Sequence, residues 1–159
     1  MLNEVERLVD QLEREHAGAP WHGSPLTTIL EGVSAEQAAQ RPLAGAHSIW
    51  ELVLHVTAWK NEVRHRLAGG LAGEPREGDW PPVGNPTAER WTEARDRLQL
   101  AHQLLVSALK DMREENLHLP TNDHRAEGLA PTHYELLMGI LQHDVYHSGQ
   151  IAILARASG

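Results

Sequence analysis

The stretch Thr132-His133-Tyr134-Glu135-Leu136-Leu137-Met138-Gly139-Ile140-Leu141-Gln142-His143-Asp144-Val145-Tyr146-His147-Ser148-Gly149-Gln150-Ile151-Ala152-Ile153-Leu154-Ala155-Arg156 decides the fold class. Thr132 and Glu135 have the form of a capping box, in which a hydroxyl and a carboxylate satisfy the free backbone donors of a first helical turn. A stripe then runs Leu136, Ile140, His143, His147, Ile151 and Leu154, in steps of 4, 3, 4, 4 and 3. That is the helix period, and it predicts a helix over 133–156. No period-2 alternation competes, here or elsewhere in the chain.

The same period extends towards the N-terminus. Leu2, Val5, Leu8, Val9 and Leu12 predict a helix over 2–16. Ser24 as N-cap, with Pro25 at the first helical position, predicts a short helix over 25–31, and the Ser34–Gln37 capping box opens another that Pro42 ends. Ser48 caps a long helix over 49–68, which Gly69 and Gly70 stop. Residues 69–86 hold five Gly and four Pro and read as the longest loop. Thr87 starts a helix over 88–115, with Trp91, Ala94, Leu98, Ala101, Leu105, Ala108 and Met112 as its stripe. The expectation is one all-α domain over 1–159. It is a four-helix bundle with a long connection between helices 2 and 3 and short extra helices after helix 1.

A chain of 159 residues buries enough surface to fold without staples. Lys plus Arg is 14 and Asp plus Glu is 22, a formal charge of −8. That sign argues against nucleic acid, whose binding is dominated by cationic contacts to phosphate. No run approaches the ~18 apolar residues of a membrane span, and Met1–Arg7 is acidic and helical, unlike a signal peptide. A cytoplasmic protein is expected. With no Cys, thiolate ligands and a cysteine nucleophile are excluded.

Eleven His in one chain direct attention to their spacing. His143 and His147 lie one turn apart on the predicted core stripe, which suits two ligands of one metal. Asp144 and Gln150 flank that face, and a buried polar group without a partner costs about 1–3 kcal/mol. His55, three after Leu52 and four before Trp59, sits on a largely apolar face of the second long helix. Three imidazoles from two helices would leave coordination positions open, as catalytic sites do. Two readings stay open at this point: metal ligands, or hydrogen-bonded core histidines. His16, His102, His118 and His124 read as surface or loop. Glu62 and His65 form half of a di-iron pattern whose second half is missing. His22 reads as structural, Trp50 as core, and Trp59 as core or the wall of a pocket beside His55.

Two segments also resemble a known family. His47-Ser48-Ile49-Trp50-Glu51-Leu52-Val53-Leu54-His55-Val56-Thr57-Ala58-Trp59 and His143-Asp144-Val145-Tyr146-His147-Ser148-Gly149-Gln150-Ile151 are similar to the signature segments of the DinB/YfiT-like superfamily. Trp21-His22-Gly23 and Arg41-Pro42 are similar to further stretches of one branch. The resemblance implies a four-helix bundle with a divalent metal on His55, His143 and His147. It further implies a metal-dependent hydrolase or a thiol-dependent S-transferase, acting on a small molecule and assembled as a homodimer. Zn²⁺ or Ni²⁺ suits imidazole ligation. Such an ion lowers the pKa of a bound water to about 7, or holds the sulfur of a low-molecular-weight thiol as thiolate. Asp144 and Gln150 are then candidates to orient a ligand imidazole, with Asp144 alternatively a base. Arg41, Lys60 and Arg64 are candidate cations for the carboxylates of a thiol cofactor. The alternative is a non-catalytic metal-binding protein of stress response or interaction, in which His22 or Asp144 closes the site as a fourth ligand.

Overall fold

Every long helix begins where a polar side chain satisfies the free amides of its first turn. The computed structural model describes residues 2–125 and 128–158. Helix α1 spans Glu4–Ala17, α2 Leu26–Glu31, α3 Ala35–Ala39, α4 Ile49–Leu67, α5 Ala88–Lys110 and α6 His133–Ala157. Capping boxes open α1 (Asn3 and Glu6), α3 (Ser34 and Gln37), α4 (Ser48 and Glu51) and α6 (Thr132 and Glu135). Thr87 caps α5 through the amide of Arg90. Ser24 does not cap α2, contrary to the sequence reading; Pro25 holds the cap position and no side chain bonds there. Among the described residues there is no strand, only an isolated bridge between Pro120 and Thr132. No described helix is long and apolar enough to cross a membrane.

Helix α5 ends at Lys110 rather than at 115. A 3-10 turn, Glu114–His118, follows and folds Leu117 completely out of solvent. Leu117 packs with Leu8 and Leu12 of α1 and Leu137 of α6. Burying such a side chain contributes roughly 1.5–3 kcal/mol, more than the extra helical turn it replaces.

Helix α4 packs on α5 and α6, and α1 packs on the same two. The apolar interior is in two parts. One joins Trp50 and Val53 of α4, Trp91 and Leu98 of α5, Ile151 and Leu154 of α6, and Leu26 and Leu30 of α2. The other joins Leu8 and Leu12 of α1, Val63 of α4, Leu105 and Leu109 of α5, and Leu137 and Ile140 of α6. These pairings run α4 antiparallel to α6 and parallel to α5. Short helices α2 and α3 cover one end, tied down where the Trp91 indole donates to the Val33 carbonyl at 2.8 Å.

Between the two apolar parts lies a polar layer. Glu15, His16, Lys60, His102, Asp144 and Ser148 are all buried there. This corrects the surface reading of His16 and His102, which are only 1% and 5% exposed. Their rings stack with centroids 3.8 Å apart, and His16 Nε2 meets Gln99 Oε1 at 2.8 Å. The helix period already held this answer, since His16 follows Leu12 by four and His102 follows Leu98 by four. His118 and His124 are exposed as read.

Burial sets the protonation of this layer. It pushes the Glu15 carboxyl up to about 7, helped by the Asp144 carboxylate, and holds His16 down at about 4 and His102 at about 2. An unfolded Glu15 releases its proton near 4.5, the folded one near 7. The folded state therefore binds more protons between those values, and Glu15 subtracts stability as pH rises through them. The histidines act oppositely, subtracting stability as pH falls below 6.5. Glu15→Gln keeps an acceptor for the Ser148 hydroxyl but cannot ionise. It is expected to gain roughly 2 kcal/mol on wild type between pH 5 and pH 8, read by chemical denaturation at both values. A constant difference would mean that the Glu15 carboxylate ionises in water-like surroundings.

Candidate metal centre

Helix α6 supplies His143 and His147 one turn apart, and α4 lies against it with His55 at the same level. One ring nitrogen from each of the three lies within 4.8 Å of the others. Nε2 of His55 and Nε2 of His143 are 2.9 Å apart. The other nitrogens of two rings are committed. His55 Nδ1 is 2.6 Å from the Asp79 carbonyl, an acceptor only, so it carries the proton and leaves Nε2 with a lone pair. His147 Nδ1 is 2.7 Å from Gln150 Oε1, which fixes the same tautomer. His143 Nδ1 has no hydrogen-bond partner and lies 3.9 Å from Asp144 Oδ1, itself unpartnered and buried. Burial holds the His147 imidazole down at about 4 and moves His55 in the same direction, so both are neutral at pH 7.

The loop over 69–86 finishes the site. Its near end is held by the Glu62–Arg66 pair of α4: Glu62 Oε1 accepts from the Gly73 amide at 3.1 Å, and Arg66 donates to the Gly73 carbonyl at 2.6 Å. Gly78 takes φ +87°, which a Cβ would oppose, and closes a turn onto the Pro75 carbonyl. That turn delivers Asp79 and Trp80. Besides its carbonyl on His55, Asp79 accepts from the Trp59 indole through Oδ1 at 2.7 Å. The Trp80 ring stacks between His47 and His55, at centroid distances of 3.5 and 4.0 Å. Trp59 on one flank and Tyr146 on another, 5.0 Å from the His147 ring, complete an aromatic surround.

Residues 17–159 match the sequence model of the DinB family. The chain belongs to the DinB family. None of the curated proteins and none of the solved structures compared with it matches. The matched region contains α4, the 69–86 loop and α6, hence every residue of the triad.

In this DinB-family chain the register of α6 differs from the predicted stripe. Leu137 and Asp144 are fully buried, whereas Leu136 is half-buried and the His143 side chain is 25% exposed. The buried seam runs 137, 140, 144, 147, 151 and 154, one residue off at two places. Two long helices cover α6, α1 on one flank and α4 on the other, so its seam faces between them. Asp144 consequently points at Lys60, and His143 stands at the edge of the α4 contact.

Lys60 is not a cation available to a ligand. Its side chain is completely buried, and its ammonium donates to Asp144 Oδ2. Burial alone would raise the Asp144 carboxyl, but Lys60 and the neighbouring His143 outweigh it and hold Asp144 below the usual carboxylate range. Arg41 is engaged too, donating through Nε to Glu51 at 3.1 Å. Arg64 is exposed beside His65, and Glu62 pairs with Arg66 rather than His65. His22 is exposed and lines a separate groove with Ser148 and Gly149. Neither His22 nor Asp144 is in the three-residue ligand group. Trp50 is core, as read, and Trp59 lines a cavity beside His143. Asp79 and Trp80 were not singled out from the sequence. The only signal for them is an aromatic residue and two prolines inside the longest loop.

Proposed function

We propose that this protein is a metal-dependent enzyme acting on a small molecule, with one divalent ion held by His55, His143 and His147. In this reading the four long helices form a four-helix bundle whose polar middle layer carries the centre. The observation behind it is the proton arrangement. Two imidazoles are locked with the proton on Nδ1, one by the Asp79 carbonyl and one by Gln150. The third has a carboxylate 3.9 Å from its own Nδ1. With the proton there, all three present a lone pair at Nε2 within one small space. A proton on His143 Nε2 would bridge it to His55 Nε2 at 2.9 Å, and a divalent cation in its place would join all three nitrogens.

Neutral nitrogen ligands suit Zn²⁺ or Ni²⁺. Such an ion supplies Lewis acidity towards an oxygen or a thiol sulfur. The chain's own groups do the rest. Gln150 and the Asp79 carbonyl orient ligands, Asp144 is held ionised by Lys60 beside His143, and the Trp59 and Trp80 rings lie against His143 and His55. A three-residue group with a cavity at His143 favours catalysis over a purely structural ion, which four protein ligands would enclose. Both S-transfer from a low-molecular-weight thiol and hydrolysis fit this centre.

The test is metal content by plasma mass spectrometry on tag-free protein after incubation with Zn²⁺ and Ni²⁺. About one ion per chain is expected from the one three-residue group among the described residues. A folded protein that takes up neither ion would sink the proposal. Turnover of a small electrophile only when a thiol is added would then separate S-transfer from hydrolysis.

A further inference from the structure

Beside His143, between α4 and α6, the surface opens into a cavity of about 320 Å³. We propose that it binds an uncharged apolar group, about one aromatic ring or branched alkyl chain in size, on the molecule that meets the metal. The inference rests on the metal reading above and adds the class of ligand.

Three features carry it. The first is the wall. Trp59 and Val63 of α4 face Leu136 and Ile140 of α6, and the His143 ring lies among them. Larger grooves exist elsewhere, including one of about 660 Å³ at His22, but their walls hold no triad residue. The volume is about twice the 150 Å³ that admits benzene in an apolar protein cavity.

The second is charge. Two ionisable side chains reach the rim, and both are spoken for. Arg66 donates to Glu62 at 2.7 Å and to the Gly73 carbonyl at 2.6 Å, with its guanidinium 5.7 Å from the centre of the Trp59 ring. Glu135 accepts from the backbone amide and the hydroxyl of Thr132 at 2.7 and 2.9 Å, in the capping box of α6. A carboxylate or ammonium entering here would lose water and meet a wall that is almost wholly apolar, with Arg66 and Glu135 reaching only its rim.

The third is Gly139. It lies in the interior of α6, where glycine is the least favourable residue after proline. No left-handed φ requires it, and a Cβ built on it meets nothing within 4 Å. Neither backbone conformation nor packing against a neighbour explains its small size. It forms part of the cavity wall, and the lack of a side chain there leaves that part of the wall open.

The experiment compares two zinc-chelating probes on the Zn²⁺-loaded protein by titration calorimetry. Acetohydroxamate carries only the chelating head and a methyl, whereas benzohydroxamate adds a phenyl ring. Wild type is expected to bind benzohydroxamate at least about tenfold more tightly, as burial of a ring's apolar surface gives. Gly139→Leu fills the cavity and raises helix propensity. It is expected to bring the two Kd values within about twofold while leaving that of acetohydroxamate unchanged. In wild type, intermolecular NOEs from the phenyl protons to the Val63 and Leu136 methyls give the same decision without a variant. Equal Kd values in wild type, NOEs to other residues, or a preference that survives Gly139→Leu would overturn the inference and leave the metal reading intact. Failure to take up Zn²⁺ would remove both.

Discussion

Lys60→Met is expected to destabilise the protein by about 3–5 kcal/mol, the cost of stranding one member of a buried ion pair. The Lys60 side chain is wholly excluded from solvent, and its ammonium is the only hydrogen-bond donor recorded on the Asp144 carboxylate among the described residues. Asp144 Oδ1 already lacks a partner, and Glu15 lies close enough to be perturbed by the same carboxylate. Without Lys60 the layer keeps two acidic groups and no compensating cation. Chemical denaturation at pH 7 reads the loss, and a drop below about 1 kcal/mol would mean that water reaches Asp144.

The companion variant separates stability from function. Lys60→Met with Asp144→Leu replaces the pair by apolar side chains of similar size, which is often neutral or stabilising by about 1–4 kcal/mol. The double variant is thus expected to recover the stability that the single one loses. It also removes the carboxylate beside His143 Nδ1, and loss of such a partner typically weakens metal binding by about 10–100-fold. A protein at least as stable as wild type that binds Zn²⁺ less tightly would show that the pair is kept for the centre. Unchanged Zn²⁺ affinity would assign it to the fold.

His147→Ala is expected to have the largest effect on metal binding. The variant leaves His55 and His143 as the only members of the ligand group, too few for a closed or a catalytic site of this kind. The loss should exceed the roughly 100-fold that removal of an outer partner costs, so dialysed protein should carry essentially no ion. Plasma mass spectrometry and competition with a chromophoric chelator measure it. Gln150→Leu, which frees His147 Nδ1 but keeps the ligand, should fall between this variant and wild type. If His147→Ala retained one tight ion per chain, the ion would have to sit elsewhere.

How much of this was legible in the chain differs from residue to residue. The capping boxes at Ser34 and Thr132 and the cap at Ser48 were readable because the bonding partners are three residues apart. The triad was readable, since His143 and His147 share a helix face by spacing, His55 sits on an apolar face of the second long helix, and the family resemblance points to the same three residues. Lys60 was misread as a free cation. Charge is visible in sequence, but the carboxylate that neutralises it is 84 residues away. His16 and His102 were misread although their periodicity was correct, because imidazole suits surface and interior equally. Asp79 and Trp80 escaped notice because a loop carries no period from which to infer what its side chains face.

The sequence by itself determined the long helices and the all-helical class of the fold, since these follow from bonds and contacts within four residues along the chain. It also excluded cysteine ligands and a cysteine nucleophile, because there is no Cys. Only the tertiary structure decided the rest. One residue turns a helix by 100°, so which flank of α6 is buried depends on where α1 and α4 press against it. That contact sends Asp144 inward to Lys60 and leaves His143 at the edge, open to the cavity. The fixed protons on His55 and His147 likewise depend on neighbours outside the imidazole. One of them, the Asp79 carbonyl, is backbone and has no signature in sequence at all.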